Sequence, residues 1–165
     1  RLVGSEMCIR DSYYTALENV AFPLAFRGVP AYKRNRMAAN MLKLVGLETH
    51  MKHKPSQMSG GQQQRVGIAR ALVTDPEIVF ADEPTGNLDS STSDEVMNVI
   101  CDILREKGKT LIMVTHDPNM AEYADKVVNL LDGRIVDIQM QKAREQKRIP
   151  QNQPDQEKQG ENQNA

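Results

Sequence analysis

The chain has 165 residues, with 21 Lys plus Arg against 22 Asp plus Glu and a formal net charge of −1. That balance excludes a strongly basic nucleic-acid binder and an acidic tail protein, while 39% hydrophobic residues suffice for one ordinary globular core. No apolar run approaches the about 20 residues that a bilayer span needs. Arg1 to Ser12 lacks the apolar stretch and cleavage site of a secretory signal. Two lone cysteines, Cys8 and Cys101, make neither a disulfide framework nor a zinc spacing. The chain reads as soluble and cytosolic, with no nucleic-acid partner expected.

In chain order, residues 1–12 show neither helical nor alternating periodicity and join abruptly to an orderly segment at Tyr13; they read as a lead-in foreign to the folded part. Val29-Pro30 opens a helix with Met37, Met41, Leu44 and Val45 along one face, and Gly46 stands where a left-handed helix end is wanted. The stretch from His50 to Met58 contains Pro55 and Ser56 and reads as a loop, in which His50 and His53 are expected to be solvated. A helix from Gln62 to Val73 follows, with Val66, Ala69, Leu72 and Val73 on one face. Ile78 to Ala81 is a wholly apolar run, the pattern of a parallel strand buried on both faces.

Ser91 to Lys107 is a second long helix, striped by Val96, Val99, Ile100, Ile103 and Leu104 and ended by Gly108. Thr110 to Val114 is another buried strand. Asp117-Pro118 fits a cap and first helical position for a short helix to Ala124. Val127 to Leu131 and Arg134 to Ile138 flank Asp132-Gly133, a strong hairpin signal. Residues 139–165 are nearly all Gln, Asn, Lys, Glu and Pro and read as a disordered polar tail, too poor in apolar groups to offset about 1–2 kcal/mol per residue of ordering entropy. The folded part is therefore expected over 13–138. Strands alternating with helices predict an α/β architecture with a largely parallel sheet flanked by helices.

Four short motifs in fixed order carry a phosphate-chemistry rationale. Ser59-Gly60-Gly61-Gln62-Gln63 precedes a helix, whose first N–H groups and dipole favour an anion, and the glycines allow close backbone approach. By itself it reads more readily as a serine cap and a glycine turn. Asp82-Glu83 follows a buried strand, at the end where ligands bind in open α/β sheets. Asp82 suits a Mg²⁺ ion held through water, and Glu83 suits orienting or deprotonating an attacking water. Pro84-Thr85-Gly86-Asn87-Leu88-Asp89 makes a tight turn, with Asp89 capping the next helix. His116 ends a buried strand, where its imidazole can donate to a terminal phosphate.

Together these residues resemble the ABC (ATP-binding cassette) ATPases. Met58-Ser59-Gly60-Gly61-Gln62 with Ile68-Ala69-Arg70-Ala71-Leu72 is similar to their signature segment. Ala81-Asp82-Glu83-Pro84-Thr85-Gly86-Asn87-Leu88-Asp89 is similar to their Walker B, catalytic glutamate and D-loop, and Val114-Thr115-His116-Asp117 to their switch histidine. Thr15-Ala16-Leu17-Glu18-Asn19-Val20 and the Gly86-Asn87 turn resemble the lipoprotein-release, macrolide-export and antimicrobial-peptide branch. The resemblance implies an ATPase subunit using ATP and Mg²⁺, peripheral on the inner face of the cell membrane. It would be bound to an integral-membrane permease and paired with a second ATPase domain. It implies Glu83 and His116 as catalytic, Asp82 as metal ligand, and Ser59, Gly60, Gly61, Gln62 and Asp89 as nucleotide contacts. Residues 18–58 would be a helical subdomain facing the permease.

Three family features do not occur. No Gly-x-x-x-x-Gly-Lys-Ser/Thr loop follows an early strand; Gly108-Lys109-Thr110 sits between a helix end and a strand, with Ile103 where the first glycine belongs. The adenine-stacking aromatic and the Q-loop glutamine expected before Thr15 are also missing. The resemblance therefore implies a C-terminal fragment of an incomplete P-loop NTPase domain, inactive alone although its parent is an ATPase. A non-transport ABC ATPase and a catalytically inactive one are the alternatives. The short spacing from Gln64 to Asp82 leaves no room for the coiled-coil arms of chromosome-maintenance relatives.

Overall fold

The computed structural model describes residues 13–86 and 88–141. The lead-in over 1–12 lies outside them, as do Asn87 and the tail from residue 142 onward. Helix α1 spans Ala16–Phe26 and α2 spans Ala31–Leu44. Two single 3₁₀ turns follow, Glu48–His50 and Pro55–Gln57. Helix α3 is Gly60–Leu72, strand β1 Ile78–Asp82, α4 Ser90–Glu106, β2 Thr110–Val114, α5 Pro118–Ala121, β3 Lys126–Leu131 and β4 Arg134–Met140.

Helix α1 owes its start to a reciprocal cap. The Thr15 hydroxyl accepts from the Glu18 N–H at 3.3 Å, and the Glu18 carboxylate accepts from the Thr15 N–H at 2.8 Å, which holds that carboxyl below its usual range. The next orphan donors are met from afar: the Ala16 and Leu17 N–H groups donate to the carbonyls of His53 and Met51 at 2.8 and 3.0 Å. The loop before α3 thus closes the first turn of α1.

Helices α1, α2 and α3 pack on one another, and α3 packs on α4. Val20, Leu42, Val45, Leu47, Ala69, Val96 and Met97 are all within 1% of complete burial. The buried face of α2 is Ala38, Met41 and Leu42, continued by Val45. This corrects the expected stripe, because Leu44 is 49% exposed and Met37 36%. The faces predicted for α3 and α4 are the buried ones, with Val99 only half-buried. Helix α5 stops at Ala121, short of the expected Ala124, and turns into the hairpin.

Strands β1 and β2 pair in parallel, Ile78 opposite Thr110 through Asp82 opposite Val114. Val79 and Ala81 point into the core, but Ile78, Phe80, Ile112 and Val114 lie on a face open to solvent. The expectation of strands buried on both faces is therefore corrected: among the described residues, helices cover one face only. Strands β3 and β4 form a separate antiparallel ribbon, turning at Asp132 and Gly133 with φ of 49° and 72°. Gln139 and Met140, expected in the tail, extend β4 by pairing with Val127 and Lys126. Gln141 then ties the ribbon to α5, its side-chain amide donating to the carbonyls of Ala121 and Ala124 at 2.7 and 3.0 Å.

Substituting along α2 checks this packing. Leu42→Ala should cost about 2–5 kcal/mol by urea unfolding, as a fully buried leucine. Leu44→Ala should cost under about 0.5 kcal/mol, as a surface change does. Equal costs would show that α2 buries the face predicted from its periodicity.

Candidate active site

The parallel register of β1 and β2 brings Asp82, Glu83 and His116 to one end of the sheet. Beyond the strand proper, the Glu83 N–H donates to the Val114 carbonyl at 2.9 Å, extending the ladder by one residue. The chain then turns sharply, with the Gly86 N–H donating to the Glu83 carbonyl at 3.2 Å. Glu83 itself has φ of 46°, a left-handed conformation that costs a glutamate about 1–3 kcal/mol unless its surroundings enforce it. Its carboxylate lies 2.5 Å from His116 Nδ1. A carboxylate only accepts, so Nδ1 carries the proton and Nε2 points elsewhere. In that arrangement His116 donates through Nε2 to an anion only as imidazolium.

Beside this pair opens a cleft of about 560 Å³, lined by Glu83, Thr85, Gly86, Asp94, Thr115 and His116 among others. Asp82 is exposed at the strand end. Among the described residues no group of three or more His, Cys, Asp or Glu stands ready to hold a metal. The adjacent carboxylates of Asp82 and Glu83 are the oxygen donors that Mg²⁺ takes, usually one or two from a protein.

Ser59 caps α3. Its hydroxyl oxygen accepts from the Gln62 N–H at 3.3 Å while Gln62 Oε1 accepts from the Ser59 N–H at 3.0 Å. The cap uses the Ser59 oxygen as acceptor and leaves the hydroxyl hydrogen to donate. Gly60 and Gly61 have a packing reason of their own. A Cβ on Gly61 would lie 2.5 Å from Thr92 Cγ2, and one on Gly60 3.3 Å from Leu88 Cδ2.

The two histidines expected to be solvated are instead half-buried beside this segment, their rings 5.0 Å apart. His50 Nε2 lies 3.2 Å from Gln62 Nε2, so His50 accepts there and carries its proton on Nδ1, facing the Thr49 hydroxyl at 3.0 Å. Sequence reasoning missed this contact because nothing in the spacing of His50 and Gln62 signals it. Gly108-Lys109-Thr110 is not a phosphate loop: Gly108, at φ 62°, ends α4, and Lys109 Nζ pairs with Glu77 at 3.0 Å.

Asp89 is committed to the start of α4. Its carboxylate accepts from the Thr92 N–H at 3.0 Å, the Thr92 hydroxyl at 2.7 Å and the Ser91 hydroxyl at 2.9 Å, in that order of importance lowering its pKa to about 2. A folded-state pKa below the unfolded one means the ionised cap stabilises. Its contribution is complete above pH about 4 and is lost as the pH falls toward 2. An NMR titration of the Asp89 carboxyl should show a midpoint near 2. Asp89→Asn should keep the cap and lose this acid dependence, whereas Asp89→Ala should lose both; a midpoint near the ordinary value of about 4 would remove the cap from the account.

Known proteins resemble this chain in sequence and in fold. The family model described as "ABC transporter" matches residues 3–86, reaching into the segment read above as a lead-in. The lipoprotein-releasing system ATP-binding protein LolD of Geobacter metallireducens is 50% identical over 123 residues, 74% of this chain and 55% of that protein. The macrolide export ATP-binding/permease protein MacB 1/2 of Paracoccus denitrificans is 50% identical over 125 residues, 76% of this chain and 19% of that protein. A solved dimeric structure of the ATP-binding cassette MJ0796, in a post-hydrolysis state bound to ADP and Pi, superposes with a TM-score of 0.67 at 42% identity, covering 78% of this chain and 57% of that one. The chain spans about half the length of the curated ATP-binding relatives it matches. With half of its length in the family model and its fold matching a solved cassette, the chain belongs to the ABC transporter family.

Proposed function

We propose that the protein to which these residues belong binds Mg²⁺–ATP, hydrolyses it, and thereby powers a membrane permease of the export or lipoprotein-release kind. The observation that carries this reading is Glu83, held in a left-handed turn at the end of β1 with its carboxylate against His116, next to Asp82. Hydrolysis adds water to the γ-phosphorus and releases ADP and phosphate. Glu83 is placed to orient that water and accept its proton, and His116 to take part of the charge at the γ-oxygens. Asp82 would hold Mg²⁺ through water, and the ion would supply positive charge that aids phosphoryl transfer.

The Ser59–Gln62 segment acts, on this reading, upon nucleotide held by a second copy of the domain. The Ser59 hydroxyl hydrogen and the first N–H groups of α3 meet the γ-phosphate there. The dimeric state of the MJ0796 cassette supports the pairing, and the joined ATP-binding and permease parts of MacB support the membrane partner. Among the described residues no helix is long and apolar enough to cross a membrane. These 165 residues contain no P-loop, and on this reading the one that binds the domain's own nucleotide would lie elsewhere in the parent protein. The open apolar face of Ile78, Phe80, Ile112 and Val114 is a suitable seat for the rest of that domain.

In the full-length protein, Glu83→Gln should leave ATP binding nearly intact and slow hydrolysis about 10²–10⁴-fold. The ATP-bound dimer should then accumulate on sizing chromatography. Ser59→Asp should behave differently. Aspartate caps a helix as well as serine does, so α3 keeps its start, but the added charge faces the partner's γ-phosphate. ATP should still bind, while pairing and hydrolysis are both lost. Gly61→Asp would be a poor substitute, because its Cβ meets Thr92 within the same chain. Normal turnover by Glu83→Gln, or ATP-driven pairing by Ser59→Asp, would overturn the respective role.

A further inference from the structure

The three successive glutamines of α3 point to three different places, as the 100° step of a helix requires. Gln62 closes the cap at Ser59, and Gln63 donates to the carbonyls of Pro55 and Met58 at 3.0 and 3.1 Å. Gln64 reaches away from that loop, its Nε2 donating to the carbonyl of Pro84 at 2.5 Å. Pro84 directly follows Glu83 and is itself buried. Lacking an N–H, Pro84 has the carbonyl as its sole backbone hydrogen-bonding group, and Gln64 occupies it.

Glu83 does not adopt φ of 46° by preference. Its N–H is fixed by Val114, its own carbonyl by Gly86, and its carboxylate by His116. Those bonds join it to the end of β2, to its own turn and to the residue two past β2. The Gln64 bond adds an anchor from a different element, tying the turn to α3 through the next peptide unit. Release it, and the Glu83–Gly86 turn is free to relax toward the right-handed region, which would swing the carboxylate from the place where water must be oriented.

From this geometry we infer that Gln64 is a positioning residue for Glu83, holding the carboxylate in its working place through the Pro84 carbonyl. The inference rests on the proposed role of Glu83 as base. Gln64 also lies two residues beyond Gln62 on the same rigid helix. It therefore ties the segment that meets the partner's nucleotide to the carboxylate that serves the chain's own nucleotide. Packing reinforces the tie, since Gly60 and Gly61 lie against Leu88 and Thr92 just past the turn.

The test uses the full-length protein and separates position from fold. Gln64→Leu keeps bulk and removes the donor; kcat should fall roughly 10–100-fold, as expected for a displaced catalytic group, with KM for ATP and ATP-driven pairing unchanged. Gln64→Arg keeps an N–H donor and should retain most of the turnover. In a Glu83→Gln background, Gln64→Leu should slow the residual rate no further, since it acts through the group already lost. Melting temperatures identify any variant that fails to fold, and Gln64→Met replaces Leu in that event. Wild-type kcat in the folded donor-free variant would overturn the inference. So would an equal slowing with and without Glu83. Full turnover by Glu83→Gln alone is a different failure: it removes the base, and the positioning role with it.

Discussion

The site depends on the parallel pairing of β1 with β2. Glu83 and His116 are 33 residues apart in sequence, and only the register that sets Asp82 opposite Val114 brings their side chains together. The Glu83 N–H bond to Val114 extends that register past the strand end, so the ladder itself fixes where the turn begins. A slip of one residue would reverse which side chains face the core. Val79 and Ala81 would be turned out, and Ile78 and Phe80 turned in. The burial of β1 and the geometry of the site are therefore specified by one set of backbone hydrogen bonds.

Much of this was legible in the sequence, for identifiable reasons. Helices α3 and α4 bury stripes with helical spacing, and Gly46, Gly108 and Gly133 occupy the positive-φ positions that their placement implies. Asp132-Gly133 marked the hairpin because few other residue pairs adopt both left-handed angles. The order of the four motifs gave the family. Other features were not legible because they arise from contacts distant in sequence. Periodicity alone favoured Leu44 over Leu42, yet the rotation of α2 about its axis is set by α1 and α3. The half-buried His50 was invisible for the same reason. So was the use of Gln64, one of three consecutive glutamines that composition cannot tell apart. The Thr15–Glu18 capping box was readable in principle as Thr-x-x-Glu before an apolar run, and it marks the start of α1.

The apolar run in β1 was read as buried on both faces, and the structure shows where that inference overreached. A continuous apolar strand says that both faces suit a dry environment. It does not say that the residues in hand supply both coverings. Here α3 and α4 cover one face, while Phe80 and Val114 remain 52% and 62% exposed. Each such side chain, once buried, contributes about 1.5–3 kcal/mol. The core of α1 through α4 is complete without that contribution, since Val20, Leu42, Val96 and Met97 are fully buried already.

Two demands fall on the same few backbone atoms at the start of α3. The glycines must admit Leu88 and Thr92 from one side, and on the proposed reading a phosphate from the other. Because Gly61 has no room for a Cβ on the Thr92 side, losing activity on replacing it would not by itself reveal a ligand contact. Ser59 is different. Its oxygen accepts within the cap, which does not use its hydrogen, so on the proposed reading the structural and ligand roles belong to different atoms. The same separation holds at Glu83, where the backbone belongs to the ladder and the turn while the carboxylate meets His116 and, on the proposed reading, water. Residues whose roles divide between atoms in this way can be altered at one atom while the fold keeps the other, which makes Ser59 and Glu83 the informative positions of this site.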